Sequence, residues 1–453
     1  MIIITCPNNN VPERTYSVDV MFRDILGLTS NQYKILFSND LNDFYQIDIN
    51  GYIIRIEDHF FRFHKAPLSY ISTDSIPSGL QYFHAFDMEV PMLYGEDKFI
   101  QKENLFCVGL DIFASTFFML TRWEEILLGR EENGDCDEEQ LFAVKYNIYK
   151  RPIVNEYETI LSKLLSLCGF ELPHRDYEVT LTHDVDGINT PTWSNILKTL
   201  IKRLLGKYRT SITNLSWRQQ LKYKLLFPTC FSQFELYRDI ARKYNIPEWF
   251  YLKVCAKGEV EATYLFNDSN LLKLVKYLQK EDDVYLGFHP SQTTFNNHDQ
   301  WKKELHRIHQ LIGDNFSIGR NHHLLYNYLT LGAWEEDTSK TTSPDEFKIS
   351  NCVFHKRLGF RSGVAVPYFL FDIYNRREMV LKEYPCQIMD SAIRRAKYKS
   401  DKDTENDIEF IVNQCKKYSG HLLLTWHIYI RKVELIKEYY NLCSKIIKLV
   451  MNE

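Results

Sequence analysis

The stretch Tyr177-Glu-Val-Thr-Leu-Thr-His-Asp-Val-Asp-Gly-Ile-Asn189 sets a β-branched run directly against two carboxylates, an imidazole and a glycine. It reads as a strand with chemistry at its end. Side chains alternate across a strand, so Asp184 and Asp186 point the same way if the extended geometry persists. Two carboxylates sharing one pocket raise one pKa or require a cation, and a metal on one leaves the other ionised as a base. Turn formation alone accounts for the aspartates and Gly187, but not for His183 or for a second acid.

Downstream of this stretch, strand and helix patterns alternate at regular spacing, the signature of βα units and a parallel sheet or barrel. The expected strands are Glu178–Thr182, Trp249–Val254, Val284–His289, Phe316–Arg320 and His421–His427. Amphipathic helices are expected near Phe231–Tyr244, Asn270–Lys280, Gln300–Leu311 and Glu405–Tyr418. Functional groups on such sheets sit at the carboxyl ends of strands. Asp184, Asp186, His289, Arg320 and His427 all fall at such ends. One insertion breaks the rhythm: Thr190 to Lys224 carries eight Lys/Arg and no acid. It suits contact with an anionic sugar nucleotide, a phospholipid-linked glycan or a membrane surface, and a solvated, partly helical excursion is the simpler view.

Thr182-His183-Asp184-Val185-Asp186-Gly187 resembles the first motif of the polysaccharide deacetylase superfamily, the NodB-homology or carbohydrate esterase family 4 hydrolases, in its Asp-x-Asp variant. The resemblance implies an α/β fold: a distorted (β/α) barrel in which Asp184 is the catalytic base and Asp186 binds a divalent metal, zinc in that family. Leu286-Gly-Phe-His289-Pro-Ser-Gln-Thr-Thr294 follows a strand as the second motif does, and His289 is the matching ligand. That motif normally supplies a second histidine four positions on, where this chain has Thr293. A hydroxyl is a poor zinc ligand, so a third must come from elsewhere. Gly319-Arg320-Asn-His-His-Leu-Leu-Tyr326 corresponds to the third motif, whose arginine orients the base; His322 is the candidate for the missing ligand and His323 the weaker one.

The remaining matches are shorter. Gly332-Ala-Trp-Glu-Glu-Asp337-Thr resembles the fourth motif loosely, with Asp337 expected to support the site from behind. In Gly359-Phe-Arg-Ser-Gly-Val-Ala-Val-Pro367, Arg361 is expected to pair with Asp184 or grip an anionic substrate, a structural salt bridge being the competing role. Leu422-Leu-Leu-Thr-Trp-His427 looks like the last motif, whose histidine protonates the leaving group, with Trp426 as an apolar wall. His306 and His309 read as surface residues.

At 453 residues the chain has room for two cores. The first segment alternates short strands and helices, with Asn50-Gly51 as its best hairpin signal. The run from Leu110 to Gly129 is apolar nearly all round and reads as one buried helix; a second helix spans about Ile153 to Cys168. Asp111-Ile-Phe-Ala-Ser-Thr-Phe117, Arg122-Trp-Glu-Glu125 and Lys150-Arg-Pro-Ile-Val-Asn155 resemble an uncharacterised N-terminal domain that precedes deacetylase-like domains in bacterial surface-polysaccharide loci. The expected division is therefore a smaller α+β domain over residues 1–172 and a barrel over 173–453.

A net charge of −4 gives no pull toward nucleic acid. No stretch approaches a membrane span, and Met1-Ile-Ile-Ile-Thr-Cys-Pro7 lacks the basic head and long apolar run of a secretory signal. With ten scattered cysteines, the expectation is a cytoplasmic protein. These features lead to a metal-dependent hydrolase that removes an N-acetyl or similar acyl group from an amino-sugar precursor, a sugar nucleotide or lipid-linked glycan, in surface-polysaccharide biosynthesis. Two alternatives stay open: a carbohydrate-binding scaffold that has lost its metal, and a hydrolase of another C–N bond such as a cyclic imide.

Overall fold

The computed structural model describes residues 1–188, 191–205, 216–229, 231–338, 347–396, 400–428 and 433–451. Its first part is a six-stranded sheet of β1 (Ile2–Pro7), β2 (Tyr33–Ser38), β3 (Phe44–Ile49), β4 (Tyr52–Glu57), β7 (Gly95–Lys102) and β8 (Leu105–Leu110), in the order β2-β1-β3-β4-β8-β7. A separate ribbon joins β5 (Gln81–Ala85) to β6 (Met88–Met92). The β3–β4 hairpin closes on Asn50-Gly51, both at positive φ (50° and 81°), as a tight turn between twisted strands requires.

The apolar run after Leu110 is not one helix. It forms Ile112–Thr121, every residue buried, and stops at Arg122, whose φ of 50° is left-handed. A separate turn, Glu124–Leu127, follows. The break turns the chain so that Trp123 stays buried while Glu125 swings beneath three guanidinium groups, an arrangement a continuous helix would not allow. The helix Ile153–Leu167 follows as expected.

The second sheet has nine strands: β9 (Glu178–Val185), β10 (Glu248–Leu252), β11 (Val284–Phe288), β12 (Ile318–Gly319), β13 (Phe347–Ile349), β14 (Tyr368–Asp372), β15 (Arg377–Glu383), β16 (Cys386–Met389) and β17 (His421–Thr425). They run in the order β14-β15-β13-β12-β11-β10-β9-β17-β16, all parallel except β14. The helices Ser232–Tyr244, Ser269–Leu278, His298–Ile312 and Asp401–Lys417 fall between successive strands, as parallel connections demand. The sheet curls. Trp249 of β10 meets Tyr384, just past β15, at 5.2 Å between ring centroids, although three strands separate β10 from β15. Its two outer strands, β14 and β16, are not bonded to each other, so the expected barrel is an open half-barrel.

Glycine permits the closest approach in this sheet. A Cβ on Gly319 would lie 2.2 Å from the Trp334 ring, which packs under β12. Of the basic insertion, residues 190 and 206–215 lie outside the described residues; the rest contains the helices Trp193–Leu204 and Trp217–Leu226.

Buried polar side chains tie the strand ends together. Glu383 accepts the backbone N–H groups of Asn351 and Cys352, both at 2.8 Å, and the Asn351 side chain accepts the Asn321 N–H at 2.9 Å. Burial pushes the Glu383 carboxyl up to about 7, against the opposing pull of Arg122 and of those two amides. A carboxyl whose folded pKa is raised favours folding while protonated, so its contribution declines from about pH 4.5, the ordinary value, to about pH 7. The decline is on the order of 3 kcal/mol. Urea unfolding of Glu383→Gln across this range is expected to show a flatter pH dependence than wild type, and an unchanged slope would refute the assignment.

Candidate active site

All five strand-end groups converge, Asp186 from just beyond its strand. Asp184 lies in β9, His289 follows β11, Arg320 follows β12 and His427 lies two residues past β17, so all open on the same end of the half-barrel. Asp184 is buried, and its Oδ1 accepts from Arg320 Nη1 at 2.9 Å. Its Oδ2 is 3.8 Å from His289 Nε2 and 3.7 Å from His427 Nε2. Burial alone would raise the Asp184 pKa, but Arg320, then His289 and His427, outweigh it and hold the carboxyl at about 2. Asp184 is thus an ionised base.

Arg320 is held by more than its acid. Nε donates to the Ser350 carbonyl at 2.9 Å, Nη2 to Ser350 Oγ at 2.8 Å and Nη1 also to Thr182 Oγ1 at 3.1 Å, while the guanidinium lies 4.6 Å from the Tyr251 ring centroid. Its own carbonyl receives His289 Nδ1 at 2.7 Å. A carbonyl only accepts, so Nδ1 carries the proton and Nε2 presents a lone pair to the site. Burial pulls the His289 pKa down to about 4, keeping the ring neutral.

Beyond Val185 the strand ends, yet Asp186 still faces the same pocket. Its Oδ1 lies 3.4 Å from His322 Nε2 and 3.2 Å from Lys253 Nζ, and its Oδ2 is 4.0 Å from His427 Nε2. The expected third ligand is therefore brought to Asp186, and one ligating atom from each of Asp186, His289 and His322 lies within 4.8 Å of the others. The Thr293 hydroxyl is paired with Ser291 Oγ at 2.7 Å. His322 Nδ1 is anchored on Glu261 Oε2 at 2.8 Å, which turns Nε2 toward Asp186. Burial opposes its charge, but Asp186 and Glu261 raise the His322 pKa to about 9. The exposed ring of His323 lies 3.7 Å from the other Glu261 oxygen.

These residues fit a divalent metal. Among the described residues the buried Nε2 of His289 has no hydrogen-bond partner, and both imidazoles are fixed through Nδ1 by an acceptor behind them. Two nitrogens and one carboxylate oxygen form a zinc donor set with a position left over. The Lys253 ammonium is the competing cation, since it already lies beside Asp186 Oδ1.

Three expectations fail. Arg361 does not reach Asp184: its Nε donates to Glu125 Oε1 at 2.8 Å, Nη2 lies 3.3 Å from Asp135 and Nη1 3.6 Å from Glu138. It belongs to a buried cluster in which Arg361, Arg122 and Arg130 overcome burial and hold Glu125 at about 2. Asp337 does not back the site; its Oδ2 accepts the Trp301 indole N–H at 2.6 Å. Trp426 is buried and packs 6.2 Å from the Tyr439 ring on the helix layer, because alternate residues of an extended chain face opposite sides and His427 takes the pocket side.

Three site residues escaped sequence reasoning. Asp390 Oδ1 is paired with His427 Nδ1 at 2.6 Å; it directly follows β16, a four-residue strand with no turn signal to mark it. Lys253 directly follows β10. Glu261 lies in the loop after it, where Tyr264 and Thr263 donate to the carbonyls of Val185 and Asp186. The strand-end rule applied to β10 and β16 is the signal that finds the first two.

The first part of the chain also reaches this region. Tyr326 N–H donates to the Gly134 carbonyl at 3.1 Å, and Tyr328 N–H to Glu131 Oε2 at 3.1 Å. A cavity of about 600 Å³ lies at the opposite ends of the strands, lined by Thr180, Trp249, Lys348, Tyr384 and His421, away from these groups.

Residues 2–168 match a family model described as a family of unknown function, DUF7033. No curated protein matches the chain in sequence. Among solved structures, it is similar to a proposed polysaccharide deacetylase involved in O-antigen biosynthesis from Bordetella bronchiseptica, at 12% identity and a TM-score of 0.29, over 61% of this chain and 84% of that one. A proposed polysaccharide deacetylase from Mycobacterium smegmatis is similar at 14% identity and a TM-score of 0.33, over 61% of this chain and 86% of that one.

Burial works against a charged His427, but Asp390, then Asp184 and Asp186, raise its pKa to about 9. A histidine with a raised folded pKa stabilises the fold below the ordinary 6.5 and loses that contribution as pH rises through about 9. In chelator-treated Asp390→Asn, the His427 ring is expected to titrate about one to two units lower by NMR. An unmoved midpoint would show that Asp390 does not charge it.

Proposed function

We propose that the chain is a metal-dependent hydrolase of the polysaccharide deacetylase type, removing an N-acetyl or similar acyl group from an amino-sugar precursor of a surface polysaccharide. The observation that carries this reading is the convergence of Asp186, His289 and His322 beside an ionised Asp184 and a charged His427. The motif resemblance supplies the substrate class. The division into residues 1–172 and 173–453 belongs to the same proposal.

Asp186, His289 and His322 would hold the ion, which when bound polarises an acyl carbonyl and acidifies a water. Asp184 takes the proton of the attacking water on Oδ2, the oxygen not engaged by Arg320. Arg320 keeps that carboxylate ionised and fixed in direction. His427, charged through Asp390, gives its Nε2 proton to the departing nitrogen, leaving a carboxylic acid and a free amine. The two proton-handling atoms, Asp184 Oδ2 and His427 Nε2, stand 3.7 Å apart.

A second reading has support in two observations. Thr293 replaces the usual ligand, and Lys253 already supplies a cation to Asp186. In that reading the half-barrel binds a glycan without hydrolysing it. Metal analysis of protein purified without chelator separates the two: a stoichiometric transition ion is expected, and none after zinc saturation would remove the hydrolase reading. Asp186→Ala and His289→Ala are expected to lose that ion. Asp184→Asn is expected to retain it while slowing deacetylation of N-acetylhexosamine conjugates by about 10²–10⁴-fold.

A further inference from the structure

The connection from β9 to β10 leaves the mouth of the half-barrel as two helices that bury little of their apolar surface. In Trp193–Leu204, Trp193, Leu197, Ile201 and Leu204 recur along one stripe, and their exposures are 59%, 57%, 45% and 77%. Leu205 beside it and Leu225 and Leu226 at the end of Trp217–Leu226 are exposed by 62%, 66% and 56%. Among the described residues, seven of the eighteen exposed large apolar side chains lie on this one excursion. Its buried part is slight: Tyr223 and Phe227 form a small cluster with Leu236, apart from the main core.

The charge of this excursion is one-sided. Lys198, Lys202, Arg203, Arg218, Lys222 and Lys224 lie on the two helices, and residues 190–224 contain no Asp or Glu, in a chain whose net charge is −4. We propose that the two helices dock flat on an anionic lipid bilayer, with the Trp193–Leu204 stripe in the acyl boundary and the basic side chains at the headgroups. An exposed apolar stripe flanked by lysine and arginine, with a tryptophan at its edge, suits the interface. Each basic group near an anionic surface adds attraction. A second copy is a poorer occupant, because two such faces would bring like charges together. A soluble glycan would leave the leucines in water. The first helix, 12 residues or about 18 Å long, is too short to cross, and no helix among the described residues is long and apolar enough to do so.

Docking here has a consequence for the substrate. Thr192, which caps the first helix, lies six residues beyond Asp186, so a bilayer beneath the helices lies beside the strand ends that carry the site. That the substrate is borne on a lipid rests on the hydrolase reading above; the docking stands on the helices alone.

The test uses the full chain with vesicles of phosphatidylcholine alone or mixed with phosphatidylglycerol. Co-sedimentation is expected to be at least tenfold stronger with the anionic vesicles and to weaken as salt rises. Leu197→Ser with Ile201→Ser and Leu204→Ser, and separately Lys198→Glu with Lys202→Glu, are each expected to lose binding at least tenfold without a change in melting temperature. Equal partition into both vesicle types, or variants that bind like wild type, would overturn the docking. So would a serine variant that dissociates a dimer in a wild type that ignores vesicles, since the face would then belong to a second copy. Zinc content measured on the same samples separates the two proposals: vesicle binding without zinc leaves the docking and removes the hydrolase, and zinc without vesicle binding does the reverse.

Discussion

Arg320 and Asp184 meet from strands with two others between them in the sheet, almost without solvent, and an ion pair in that position loses more in desolvation than it gains unless its donors are satisfied. Arg320 uses four of its five: its guanidinium is shared among Asp184, Thr182 and both the carbonyl and hydroxyl of Ser350. Strands β9, β12 and the residue after β13 are thereby fixed at one point, which sets how tightly the sheet curls. The same residue decides two protonation states. Its charge keeps Asp184 ionised, and its carbonyl selects the His289 tautomer whose Nε2 faces the pocket. Curvature, base and ligand therefore have a common origin.

The loop that follows Arg320 has a cost of its own. His323 and Leu324 both adopt positive φ (56° and 58°), a conformation that costs of order 1–3 kcal/mol for each non-glycine residue and persists only where neighbours over-determine it. They are held from both sides. Glu261 takes the His322 imidazole, and the first part of the chain takes the backbone beyond, through Gly134 and Glu131. Gly134 is itself at a φ of 77°, and a Cβ there would lie 3.0 Å from Leu325 and Phe295. Arg130, bonded to Glu125 and lying 5.3 Å from the Tyr326 ring and 5.2 Å from the Tyr328 ring, anchors this turn. Residues far from the chemistry in sequence thus share in placing His322.

Much of the site was legible in the sequence because alternation and helical periodicity mark the strands β9, β10, β11 and β17 and the helices between them. The strands carrying Asp184, His289 and His427 were recovered within a few residues, and the strand-end rule then pointed to the groups themselves. Four strands, β13 to β16, and the helix Val433–Val450 were not anticipated, although β15 and that helix are long. β13 and β16 have three and four residues, too few to show a period, and with β16 went Asp390. Arg361 misled because a glycine-flanked arginine looks the same whether it faces a substrate or a buried Glu125; only the fold brings residues 125 and 361 together. Arg122 likewise carries no local mark of the left-handed turn that divides the apolar helix.

Under the hydrolase proposal, Thr293 at the place of a second motif histidine would change what controls the metal. Two histidines four positions apart would lie on one loop, and their spacing would survive small movements of the sheet. Here the three candidate ligands come from the ends of β9, β11 and β12, so the distances among them depend on how far those strands curl. The buried Arg320–Asp184 pair joins the first and last of these strands and holds that curl. Charge adds a second coupling. Asp186 is balanced by Lys253 and by a His322 whose pKa is near 9, so an ion entering at neutral pH must take the lone pair that a proton otherwise holds. On that proposal, metal affinity would be set jointly by sheet curvature and by proton competition at His322, rather than by the ligands' identities alone.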